Sequence, residues 1–298
     1  MSDELVSALL KDAGLRVVVA TAGGVARQAR ALHQAEPAAA ALFAQGLSAA
    51  SLLAALQKHR SRINLQLECD GPLRGFFVDA DGGAGSVRGY VKNPAVQFTG
   101  AEGQWRWRPV LGNRGFLSVM RDLGGGEFYR SAVELQHFDF ALDLERYFEA
   151  SEQLPTQVAL EVGTAPVDGK PDVLGCVAGA FLQPLPDGDR ELFAELGGRL
   201  RADFARALAA HPGEGALALL KALVGRDDLE VMSRYPLVWQ CTCGKERVRG
   251  ALLSLGRAEL EDILRKERQA EVTCQFCTAR YVVSEAEIRE LLEQPPAG

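Results

Sequence analysis

"CTCGKERVRG" (241–250) and "CQFC" (274–277) carry four of the six cysteines of this 298-residue chain. A C-x-C and a C-x-x-C separated by a loop offer two ligand pairs, the arrangement of an all-cysteine tetrahedral zinc site. Cys274 and Cys277 have the usual spacing for a pair set around a turn, whereas Cys241 and Cys243 are closer than most. Four thiolates on one zinc leave the site negative, and Lys245, Arg247 and Arg280 lie near enough in sequence to offset that charge. The C-x-C pair could close only a small, strained disulfide ring, the labile sort. Zinc-bound thiols are also already deprotonated, the form that oxidants attack. The residues leave two readings open, a permanently reduced zinc knob and a redox switch.

Around the cysteines, "KERVRGALLSL" and "RAELEDILRKE" read as short helices and "EVTCQFCTARYVV" as a hairpin. "SEAEIRELL" reads as a helix opened by a capping box, Ser284 with Glu287. A unit this small with few large apolar side chains needs a staple or a metal. Upstream, Leu192, Leu196, Leu200, Phe204 and Leu208 recur every four residues, a helical stripe that can dock on a partner surface. Gly197 and Gly198 soften it, each costing ~1 kcal/mol relative to Ala. It is either an ordinary helical linker or a segment folded only while something holds it. "PLPDGD" (184–189) marks its start and "HPGEG" (211–215) interrupts it.

Before that break, "RVVVAT" reads as a strand, followed by helices interrupted at Pro37. "RINLQLECD" (62–70) alternates, with Ile63, Leu65, Leu67 and Cys69 on one face. Further short strands follow, then a helix with the stripe Phe140, Leu144, Tyr147 and Phe148, then strands again to about residue 180. The predicted fold is α+β: a mainly antiparallel sheet with helices over 1–183, a helical linker over 184–235, and a small all-cysteine zinc domain over 236–298.

Hydrophobic residues make up 47% and charged residues 24%, enough to build a core without staples. A formal net charge of −6 speaks against a general nucleic-acid binder. The N-terminus lacks the basic start of a signal peptide, and no stretch approaches the ~20 apolar residues of a membrane span. The expected place is the cytoplasm, where thiols stay reduced. Cys69 and Cys176 read as small buried hydrophobes. "VVVATAGGVARQA" only loosely echoes a dinucleotide fold, and "DLGGGE" (122–127) reads as a turn. "EGQWRWRPV", with Trp105, Trp107 and Arg108, reads as an ordinary strand. His33, His59, His137 and His211 are scattered, and no catalytic apparatus is evident.

With its C-x-C to C-x-x-C framework, and with "RGYVKNP", "GFLSVMRDLG", "YFEASEQLP", "AGAFLQPLP", "ALLSLGRAELEDIL" and "AEVTCQFCTARY", the chain resembles a bacterial redox-regulated chaperone family, heat-shock protein thirty-three. The resemblance implies a non-enzymatic, ATP-independent holdase. Reduced, it would be inactive, with one Zn²⁺ per chain on Cys241, Cys243, Cys274 and Cys277. Oxidised, it would carry Cys241–Cys243 and Cys274–Cys277 disulfides, lose zinc, unfold its linker, dimerise and hold unfolding client proteins. After reduction it would pass them to ATP-dependent chaperones. The competing expectations are a constitutive zinc-stabilised nucleic-acid or translation-associated binding protein and a thiol–disulfide exchange enzyme using Cys274 and Cys277. The acidic balance disfavours the first, and the hairpin setting of the pair disfavours the second.

Overall fold

The valines of "RVVVAT" are buried on both sides of their strand, and that double burial organises the larger part of the molecule. The computed structural model describes residues 2–57, 62–97, 106–167, 169–211, 213–226 and 228–293. It divides into two compact units, Met1–Gln240 and Cys241–Gly298. The larger unit opens with β1 (Glu4–Leu10), β2 (Leu15–Thr21), α1 (Gly23–His33) and α2 (Pro37–Ala55). There follow β3 (Arg62–Cys69), β4 (Gly75–Asp81), β5 (Ser86–Val91), α3 (Arg108–Leu111), β6 (Gly115–Gly124) and β7 (Glu127–Glu134). Next come α4 (Phe140–Tyr147), a π-helical turn (Phe148–Glu152), β8 (Gln157–Val167) and β9 (Lys170–Pro184). The unit closes with α5 (Arg190–Ala210), α6 (Ala216–Val224), β10 (Leu229–Pro236) and β11 (Val238–Trp239).

These strands form two sheets, one ordered β10-β1-β2-β9-β8 and one ordered β11-β5-β4-β3-β6-β7. All pairings are antiparallel except β11 with β5. Helix α2 packs on strands of both sheets. Because side chains alternate along a strand, Val18 and Ala20 of β2 join the core around α2, and Val17 and Val19 join a second core under α5 and α6. The five-stranded sheet is thus apolar on both faces.

Several expectations are corrected. Helix α2 is long and apolar enough to cross a membrane by length and composition, with mean hydropathy 1.6. Its apolar window is 94% buried inside the protein, as befits a helix apolar on all sides in a core. Strands β1 and β10 went unread, because "LVSALL" carries no β-branched alternation and its partner lies far along the chain. Within "EGQWRWRPV", residues 102–105 lie outside the described residues, and Arg108–Leu111 form α3 where a strand was expected; α3 is preceded by a buried Trp107, and the Arg108 guanidinium sits 4.7 Å from the centre of the Phe138 ring. Trp105 and His59 lie outside the described residues. On α5, Leu196, Leu200, Phe204 and Leu208 are buried, but Phe193 rather than Leu192 completes the row, and Leu192 is only partly covered. Residues 236–240, expected with the zinc domain, group with the larger unit. Val238–Trp239 pair with β5, and the Leu237 N–H donates to the Asp3 carbonyl.

The predicted stripe Phe140, Leu144, Tyr147 and Phe148 is buried, and the helix starts at Asp139, whose side chain accepts from the Leu142 N–H. The strand–glycine–helix echo at α1 holds the chain's own carboxylate. Asp3 accepts from the N–H groups of Gly24 and Val25 at 3.0 and 2.5 Å, so the positive helix end is already served.

The smaller unit holds α7 (Lys245–Leu253), α8 (Arg257–Lys266), the hairpin β12 (Ala270–Thr273) and β13 (Arg280–Val283), and α9 (Glu285–Glu293). Val248, Leu252, Leu260, Ala270, Val283, Ile288 and Leu291 form its small buried core. The capping box is made. The Glu287 N–H donates to Ser284 Oγ at 3.4 Å, and the Ser284 N–H donates to Glu287 Oε2 at 3.0 Å.

Candidate metal centre

Cys241 and Cys243 lie on the extended chain that enters α7, whose N-cap is Gly244. Cys274 and Cys277 lie in the turn between β12 and β13. That turn is closed by the Cys274 N–H on the Ala279 carbonyl (2.9 Å) and the Thr278 N–H on the Cys274 carbonyl (2.8 Å). Thr278 adopts φ 60°, the left-handed bend that folds the pair inward. The four sulfurs lie within 4.8 Å of one another. Cys243 Sγ is 3.2 Å from Cys277 Sγ, and Cys241 Sγ is 3.7 Å from Cys274 Sγ. A zinc–sulfur bond of about 2.3 Å puts tetrahedral sulfurs about 3.8 Å apart, so the four thiols fit a tetrahedral metal ion. All four cysteines are partly exposed, within reach of a small solute.

Sequence reading missed Tyr281. Its hydroxyl lies 3.0 Å from Cys243 Sγ, and its ring packs on the small core. Burial works against ionisation of Cys243, but hydrogen bonds from Tyr281, Cys277, Cys241 and Cys274 outweigh it and draw the thiol down to about 7. Burial first, and then hydrogen bonds with Cys243, Cys241 and Cys274, push Cys277 up to about 12. The Cys243 bond and burial raise Tyr281 to about 12. Of the Tyr281–Cys243 pair the sulfur ionises first, so the phenol donates and the sulfur accepts. The cations expected to offset the site's charge are engaged elsewhere: Lys245 with Glu287 at 2.6 Å, Arg280 with Glu271, and Arg247 with the Thr242 hydroxyl at 2.8 Å. A phenol was invisible to a reading of cysteine spacing. The only available signal was a tyrosine four residues past Cys277, on the core face of a two-residue alternation with Val283.

Cys69 and Cys176 lie in the larger unit, and burial raises both thiols, which keeps them protonated and unreactive. His33 bonds the Gly89 carbonyl and His211 bonds Glu214, while His137 lines a surface cavity with Glu145 and Gln153.

An α+β unit with helices on both faces of its five-stranded sheet, followed by a thin-cored unit in which four thiols converge, defines a protein whose distinctive chemistry is a thiol cluster able to hold a metal ion. The family model described as Hsp33 protein matches residues 3–284. A relative from Synechococcus sp. (strain JA-3-3Ab), named 33 kDa chaperonin, is 36% identical over 100% of this chain and 92% of its own length. One of the same name from Geobacter sp. (strain M21) is 32% identical over 99% and 98%. The solved Thermotoga maritima 33 kDa chaperonin (heat shock protein 33 homolog) superposes with a TM-score of 0.82 at 28% identity, covering 98% of each chain. The chain belongs to the Hsp33 family and is a chaperone.

Proposed function

We propose that the chain is a redox-regulated, ATP-independent holdase, inactive while Cys241, Cys243, Cys274 and Cys277 hold one Zn²⁺. The observation that carries this reading is the convergence of four half-exposed thiols in a unit with a small apolar core. When bound, the metal supplies the cross-link between the two halves of that unit. Structural zinc is worth an apparent ~10–16 kcal/mol in small peptides.

Activation begins when one sulfur attacks a peroxide oxygen. The O–O bond breaks, hydroxide leaves, and a sulfenic acid forms. The neighbouring thiolate attacks that sulfur and displaces a second hydroxide, so two thiolates lose two electrons to one peroxide and gain an S–S bond. The proposed pairs are Cys241–Cys243 and Cys274–Cys277. The shortest sulfur contacts run across the halves, but a cross-half disulfide would restrain the unfolded chain by roughly 4 kcal/mol and preserve the fold. Pairing within each half leaves the halves unlinked and lets the unit unfold.

In this proposal, unfolding then spreads to helices α5 and α6 of the linker expected over 184–235, which joins the core domain (1–183) to the switch unit, Cys241–Gly298. Helices α5 and α6 cover Val6, Ala8, Leu10, Val17, Val19, Ala178, Ala180 and Leu182. Lifting them off would bare a continuous apolar sheet face, the kind of surface that binds other proteins. The active form would be a homodimer in the cytoplasm that protects unfolding clients and later yields them to ATP-dependent chaperones.

The test measures zinc content together with aggregation of a heat-unfolding client, before and after peroxide or hypochlorite with mild heat. Zinc loss with new suppression of aggregation is the expected result. Zinc loss without suppression would overturn the holdase, and retained zinc would overturn the switch.

A further inference from the structure

We infer that the Tyr281 hydroxyl is a positioning group for the metal centre: its hydrogen bond to Cys243 Sγ strengthens metal retention and slows oxidation of the thiol cluster. The inference rests on the zinc-switch reading and concerns the same site. Tyr281 lies on β13, paired in register with Val272 of β12. Tyr281 shares its strand face with Val283, which is fully buried, so the ring is anchored in the small core and the hydroxyl is held over the sulfurs.

The bond crosses the site. Tyr281 belongs to the hairpin that carries Cys274 and Cys277, whereas Cys243 belongs to the other half. The bond thus joins the two halves through Cys243. A donor on a thiolate also withdraws electron density from sulfur. A less electron-rich sulfur is a poorer nucleophile toward peroxide, and its share of the site's negative charge is better tolerated. Partners that orient and hydrogen-bond ligands typically account for 10–100-fold in metal affinity.

The experiment compares full-length wild type with Tyr281→Phe, which keeps the ring and removes the donor. Three readouts apply: Zn²⁺ affinity by chelator competition, the sulfur-to-metal charge-transfer band of the Co²⁺-loaded protein, and the rate of zinc release at fixed peroxide. Tyr281→Phe is expected to bind Zn²⁺ about 10-fold more weakly or worse, to shift the Co²⁺ band to longer wavelength, and to release zinc several-fold faster. Tyr281→3-fluorotyrosine, a stronger donor on the same ring, should move the band and the release rate the opposite way. That variant also decides the matter if Tyr281→Phe fails to fold. An unchanged band and release rate in the variants would overturn the inference. If wild type itself kept its zinc under oxidant, the switch would fall, while the affinity and band comparisons would still decide the part played by Tyr281.

Discussion

Gly197 and Gly198 are neighbours on α5, yet the structure gives them opposite roles. A Cβ at Gly197 would meet Gln157 Cγ of β8 at 2.7 Å, whereas a Cβ at Gly198 would meet nothing within 4 Å among the described residues. Sequence reading treats both as helix softeners, because local propensity is all a single segment displays. Gly198→Ala should stabilise α5 by up to ~1 kcal/mol and raise the peroxide concentration needed for half-maximal zinc release. Gly197→Ala should lever α5 away from β8 and lower that concentration. Equal shifts in both variants would refute the distinction. A second residue-scale expectation concerns the metal-free, reduced cluster. With Cys243 drawn down to about 7 and Cys277 pushed up to about 12, the thiolate fraction of Cys243 rises through neutrality while Cys277 lags. Iodoacetamide labelling, mapped by mass spectrometry from pH 6 to pH 8, should therefore begin at Cys243 and be half-maximal near pH 7. The cysteine framework was legible because ligand spacing is local. The phenol beside it was not, since its contact spans residues far apart in the chain.

At the scale of the element, α6 is held by a residue from the other end of the chain. Glu4 Oε1 accepts from the Leu217 N–H at 3.4 Å, and Glu4 Oε2 accepts from Arg234 Nε of β10 at 2.7 Å. One carboxylate thus serves the exposed N–H groups of a helix start and ties down the strand that follows the helix. Glu4→Gln should leave the fold intact but speed amide hydrogen exchange in α6 and β10 relative to α2. Uniform exchange across the three elements would show that the tie carries no local stability. The helices themselves were legible from their four-residue apolar period. The sheet beneath them was only half legible, because β1 and β10 find each other across most of the chain and neither carries a strong strand pattern. The Phe193-for-Leu192 exchange is a matter of phase: α5 turns 3.6 residues per turn, so a strict four-residue row drifts off the buried face at its end.

For the whole molecule, the two units differ in what holds them together. The larger has two extensive cores; the smaller relies on a few apolar residues and the cysteine cluster. Removing metal with a strong chelator under reducing conditions should therefore melt Cys241–Gly298 and spare the rest. Limited proteolysis should then cut within that unit and leave a resistant fragment ending near Gln240. Loss of both units together would show that they fold as one. The overall α+β class was legible because apolar periods change along the chain, but the interleaving of two sheets around α2 is a long-range arrangement that no local window encodes.

Helices α5 and α6 leave the five-stranded sheet from β9 and return to it as β10, with only β1 and β2 between. The departure and return points are three strand spacings apart, about 14 Å. A chain released between them stays a tethered loop as long as β9 stays paired with β2 and β10 with β1. Its ends are already brought together, so the entropy of closing a longer chain does not have to be met again. Re-covering the sheet is then a unimolecular event at a high effective concentration of helix over its own face. On the proposed switch, a client bound to that face would compete with a lid that never diffuses away, and restoring the thiols would favour the lid's return.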